Sequence, residues 1–163
     1  MGRVRDLYVM KKARNEKLIK GYNTWDLMDM NEWFLDIIPR MLKELKEKKG
    51  GYPASFEDEW VYENRKRFSY DNELTKEEDH QLRLEMEKDC LEKWHNILDK
   101  MVFLFNEADP SKCSYKNKYD ESYRGSDRVD LWTEENNKIE EYQDKCLKEA
   151  MELLAKHFRH LWY

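Results

Sequence analysis

Apolar residues recur three and four positions apart along most of this chain, in stretches too long for strands, so the pattern predicts helices. The first stretch, about Val4 to Ile19, is strongly basic and weakly amphipathic, and Gly21 ends it. The second starts at Thr24, an N-cap residue type, with Asp26 and Asp29 where the helix dipole favours negative charge. Its stripe is Leu27, Met30, Phe34, Ile37, Ile38, Met41, Leu42 and Leu45, and Gly50 and Gly51 stop it. Pro39 lies inside and is expected to kink it, because proline has no backbone donor. Residues 50–75 are mixed, and Ser55 is placed to cap a short helix through Phe56, Trp60 and Val61.

The third long helix opens on the capping box Thr75-Lys76-Glu77-Glu78 and runs to about Glu107, before Asp109-Pro110. Its stripe is Leu82, Met86, Cys90, Trp94, Ile97, Met101, Leu104 and Phe105, over roughly 45 Å at 1.5 Å per residue. Residues 109–132 read as a polar loop. The last helix is expected from about Thr133 to the terminus, with Ile139, Tyr142, Cys146, Ala150, Leu153, Leu154, Phe158 and Leu161 on one face. Helices with one apolar face bury it against each other. The expected fold is one all-α domain: a bundle of three long helices, a basic N-terminal helix and a short extra helix.

Composition narrows this further. Charged residues make up 40% of the 163 positions, but 13% aromatics exclude a disordered chain. Five Gly and three Pro are too few for the turns of a sheet protein. The net charge of −5 makes nucleic acid an unexpected partner, since phosphate binding needs a basic footprint. The charge is uneven, however. Residues 1–20 hold seven basic residues against Asp6 and Glu16, a surplus of five, which leaves about −10 on the rest. Such an arm either binds phosphate or docks on the acidic body. Cys90, Cys113 and Cys146 are odd in number and widely spaced, which suits free thiols in a reducing compartment. No run approaches the ~18 apolar residues of a membrane span, so a soluble intracellular protein with no membrane partner is expected.

Several residues sit where a simple bundle does not need them. Asn31 falls inside the second stripe, while Trp25 and Trp33 fall outside it. With Trp60, these two tryptophans are the candidate interface of a homo-oligomer, because aromatics are enriched at interfaces. His157 lies mid-stripe on the last helix and reads as a core histidine, with His160 at the edge. Arg159 and Trp162 beside them could hold an anion and stack on a ring. Tyr115, Tyr119 and Tyr123 alternate with Lys112, Lys116, Lys118, Arg124 and Arg128 in the loop, a mixture that suits a nucleotide or a single strand.

The chain has no GxxxxGK[ST], GxGxxG or HExxH motif, and no serine in a nucleophile context. Glu77-x-x-His80 and Glu92-x-x-His95 resemble half-sites of a di-iron bundle. Both lie on one helix, about 22 Å apart, too far to share a metal within one chain. His157-x-x-His160 lacks an obvious completing ligand. No metal and no cofactor are expected.

Three stretches carry a likeness: DLMDMNEWFLDIIPRMLKELKE followed by GYP, then EKWHNILDKMVFLF, then LLAKHFRHLWY. Together they resemble a family of small helical proteins encoded by tailed phages and prophages. The resemblance covers most of residues 22–163 and not the basic arm, and Asn31 stands where an Asp is usual. It implies phage origin and action in the cytoplasm of the infected bacterium, without implying an activity. Small phage proteins without enzyme motifs often block a host protein or take up a host signal. The expected function is therefore non-enzymatic binding of a host protein, or a part in virion assembly. One alternative is a counter-defence sponge for a nucleotide-type immune signal, with Arg3, Arg5, Arg14, Tyr52, Arg124, Arg128, Arg159 and Trp162 as ligand groups. Another is an enzyme whose active site is dispersed over several helices.

Overall fold

The computed structural model describes residues 2–20, 22–48, 51–67, 75–119, 121–125 and 128–161, with side chains for all of these except 2–9, 25, 26 and 125. Every secondary-structure element among them is helical: α1 (Gly2–Lys20), α2 (Thr24–Met28), α3 (Met30–Lys48), α4 (Ser55–Glu63), α5 (Lys76–Ala108) and α6 (Val129–His157). Two short 3-10 turns, Glu121–Gly125 and Phe158–His160, complete the set. No described helix is long and apolar enough to cross a membrane. The chain divides into two compact units, Met1–Ile37 and Ile38–Tyr163.

In the first unit, the Glu16 side chain links α1 to the start of α2. The Glu16 carboxylate accepts from the Thr24 amide and from the Thr24 hydroxyl, both at 3.1 Å. Thr24 is thus the first helical residue, and Glu16 satisfies a donor that the helix start leaves open. The bond to the Thr24 amide, followed by that to its hydroxyl, holds the Glu16 pKa below the usual carboxylate range. The stretch expected as one long helix from Thr24 is two, because Asp29 forms a turn between α2 and α3. Helix α3 then begins with the Trp33 amide donating to the Asp29 carbonyl at 2.9 Å, and it continues through Pro39.

The second unit is organised around α5 and α6. Trp94 meets His157, Lys100 meets Glu149, and Glu107 meets Tyr142, so the two helices run antiparallel. Between them lie Leu98, Met101, Phe105 and Ala150, all at most 1% exposed. The Thr75 capping box forms as expected, with Thr75 accepting from the Glu78 amide and Glu78 accepting from the Thr75 amide. Helix α4 packs on α5 through Phe56 and Trp60, although Ser55 provides no side-chain cap. Lys46 of α3 reaches Asp99 of α5 at 2.6 Å.

Two expectations about α6 change. It starts at Val129, four residues before Thr133, and it ends at His157. Beyond that point the backbone tightens into a 3-10 turn of three residues per turn. The stripe loses its register there, which leaves Phe158 55% exposed.

Candidate functional site

The densest polar structure lies where the 109–125 loop folds back over the ends of α5 and α6. It begins with Asp109, which caps its own turn by accepting from the Ser111 amide and hydroxyl. Glu107 follows from the opposite logic. A carboxylate in the last turn of a helix opposes the macrodipole, and this one is also buried. Its Oε2 accepts from the Ser114 hydroxyl at 2.7 Å, the Ser114 amide at 3.0 Å and the Tyr142 hydroxyl at 3.2 Å. The Cys113 thiol lies 3.8 Å from the same oxygen. Burial alone would raise the Glu107 pKa, but the Ser114 bonds and then Tyr142 reverse this and hold it below the ordinary range. In Tyr142, burial first and then Cys146 and Glu107 push the hydroxyl pKa up. One carboxylate therefore fixes the loop to both helices.

A second buried glutamate repeats the device further along α6. Glu135 accepts from Tyr115 at 3.3 Å and pairs with Lys118 at 3.1 Å and Lys138 at 3.8 Å. Its stem is covered while its carboxylate meets two lysines that are more than half exposed. Lys118 leads the groups that hold its pKa down. Asn117 adds bonds to the Trp132 carbonyl at 3.0 Å and the Asn136 side chain at 2.9 Å.

Most of the loop's aromatic and cationic groups, expected as ligand contacts, are engaged within this chain. Tyr115 packs edge-on against Tyr142, and Tyr119 against Tyr123. Arg128 lies over the Tyr123 ring and donates to its hydroxyl, while Arg124 lies over Trp132. Of the expected ligand residues, Arg124 and Arg128 both lie at this loop, each over a different ring. Arg14 is exposed in the first unit. Tyr52 is half-buried, and burial, followed by a bond to Glu57, pushes its hydroxyl up to about 12. Arg159 is exposed in the 3-10 turn after α6. The side chains of Arg3, Arg5 and Trp25, and the whole of Trp162, lie outside the described residues.

Trp60 does not line an exposed patch. It is 7% exposed, and its indole N–H donates to Asp89 at 3.0 Å, because α4 turns that face toward α5. Trp33 is half-buried, and Asn31 is exposed, since α3 starts afresh after Asp29. His157 is a core histidine. It sits edge-on between Phe56 of α4 and Trp94 of α5, at 6.2 and 5.7 Å. Burial leads the causes that lower its pKa, followed by Lys156 and His160. His80 is exposed and His95 is half-buried. Among the described residues, no three His, Cys, Asp or Glu side chains gather in a way that could hold a metal ion. A recess of about 570 Å³ runs along α5, lined by Asp89, Glu92, Lys93, Asn96, Ile97 and Lys100. All six lie on one helix, so the recess is a surface trough.

No family model, curated protein or solved structure matches this chain.

What sequence reasoning missed is in the first unit. Met10, Leu18, Ile19, Leu27, Met28 and Met30 are between 57% and 82% exposed. Met10, Arg14 and Leu18 share one face of α1, four residues apart. A signal was present: residues 4–19 have apolar side chains without a clean stripe, so no single packed face could absorb them all.

Proposed function

We propose that this chain is a non-enzymatic protein-binding module whose docking element is the N-terminal unit. The observation that carries the reading is a set of six Leu, Ile and Met side chains, each more than half exposed, within residues 10–30. Apolar surface left in water costs about 25 cal/mol per Å². Monomers rarely expose contiguous apolar patches beyond a few hundred Å², and larger ones mark interaction sites. The second unit is read as the helical body of the module, a bundle built from α5, α6 and the part of α3 after Ile37. In the phage setting that the family resemblance suggests, the module works in the cytoplasm of the infected bacterium. The assembled module acts there on a host protein or serves as a component of the virion.

Capture of a nucleotide-type signal draws less support. Arg124 and Arg128 are stacked on Trp132 and Tyr123 of their own chain, and a ligand would have to displace those contacts.

The test places a photoreactive residue at Leu18, at Met28, and at Met151 on exposed α6, in turn, in the full chain in bacterial cells. Protein adducts at Leu18 and Met28 but not at Met151 are expected. Absence of adducts at both N-terminal positions contradicts the reading. A thermal shift with a nucleotide in that case would move the account to the sponge.

A further inference from the structure

The N-terminal unit carries two limbs of opposite charge. Residues 10–20 of α1 present Lys11, Lys12, Arg14, Lys17 and Lys20, with Glu16 committed to Thr24. Residues 21–37 contain Asp26, Asp29, Glu32 and Asp36 and no basic residue. Each limb also exposes large apolar side chains. On α1 these are Met10, Leu18 and Ile19, and on α2 and the start of α3 they are Leu27, Met28 and Met30. Between residues 10 and 20 only Ala13 and Glu16 are partly covered.

From this we infer that the docking surface takes a second copy of this chain, with α1 of each copy laid along the α2–α3 limb of the other. The inference rests on the N-terminal unit being the docking element, and it names the partner. A surface with a basic apolar limb and an acidic apolar limb is self-complementary. A two-fold axis makes every contact occur twice, which is the condition for a closed dimer. Opposite charges on the limbs set the pairing and disfavour like limbs meeting. The area also fits. A fully exposed Leu, Ile or Met side chain offers roughly 120 Å² of apolar surface, so six at these exposures offer about 500 Å². A standard interface takes about 800 Å² from each partner, somewhat more than half of it apolar.

The experiment is sedimentation velocity on the full chain and two charge-reversed variants. One carries Lys11→Glu with Arg14→Glu, and the other carries Asp29→Lys with Glu32→Lys. Circular dichroism checks that each keeps its helical content. The wild type is expected to be a dimer. Each variant alone is expected to dissociate at least tenfold more readily, and an equimolar mixture to recover a one-to-one dimer. If the Asp29 change unwinds a helix start, Leu18→Asp serves as the second variant and must also give monomer. A monomeric wild type overturns the inference, and so do variants that dimerise like the wild type. A monomer that still gives adducts with another protein at Leu18 overturns the second copy but leaves the docking reading standing. A monomer with no adducts overturns both.

Discussion

Replacing Glu107 with Gln tests the staple that holds the loop to α5 and α6. The substitution keeps shape and volume and removes the charge. In the wild type the Ser114 amide, the Ser114 hydroxyl and the Tyr142 hydroxyl converge on one carboxylate oxygen. An amide carbonyl still accepts two of these bonds, so about one charge-assisted bond is lost and the others become neutral. A hydrogen bond to a charged group contributes about 1.5–3 kcal/mol, against ~1 for a neutral one. Glu107→Gln should therefore destabilise the fold by about 2–3 kcal/mol. For a protein of this size each kcal/mol moves Tm by about 2–4 °C, so thermal unfolding should shift down by about 4–12 °C. The pH dependence has a definite sign. The folded carboxyl titrates below its ordinary value of 4.5, so its contribution is fully present above that value. It is lost as pH falls through the lower, folded pKa. The gap between wild type and Glu107→Gln should narrow over that acid window. Equal melting at neutral pH would refute the reasoning, and so would a gap that persists unchanged into acid.

Two further outcomes follow from local geometry. His157 has a folded pKa below its ordinary 6.5, so the unfolded chain binds the proton more readily. Stability should be flat above that value and fall as pH drops below it. The groups around His157 are Glu59 of α4, Lys93 of α5, and Lys156 and His160 beside it. Urea unfolding of His157→Phe should lack the acid-side slope, and an equal slope in both proteins would assign it elsewhere. Thr75→Ala removes the capping box of α5 and should cost about 1 kcal/mol in denaturant unfolding. No change there would mean that the start of α5 contributes nothing to global stability.

The helical content and the position of α5 were legible because their signals are local. A capping box, a long apolar period and Asp109-Pro110 act over a few residues each. The α5 stripe was read slightly off its true centre. Leu98 and Val102 are buried while Ile97 is half-buried, a rotation of one residue that periodicity alone does not resolve. The break at Asp29 was hidden because the apolar pattern runs through it unbroken. The loop was less legible, for a different reason. Tyrosines beside cations look the same in sequence whether they await a ligand or pack on one another. Here Asn117, Glu107 and Glu135 decide it, and two of these three come from the helices that flank the loop. A buried glutamate at the end of α5 was invisible because its partners, Ser114 and Tyr142, lie seven and 35 residues away. Of the tryptophans expected at an interface, Trp33 is half-buried and the side chain of Trp25 lies outside the described residues. Trp60 and Trp94 are absorbed by α4–α5 packing, whereas methionine and leucine of the first unit stay in water.

The central claim is that the N-terminal unit forms the docking surface and that a second copy of this chain occupies it. Hydrogen exchange of the full chain, compared at two protein concentrations about a hundredfold apart, tests it most directly. The account predicts slower exchange at high concentration in α1, α2 and the start of α3, with α5 and α6 unchanged. Exchange that is independent of concentration throughout, or protection that appears only on α5 and α6, would contradict it.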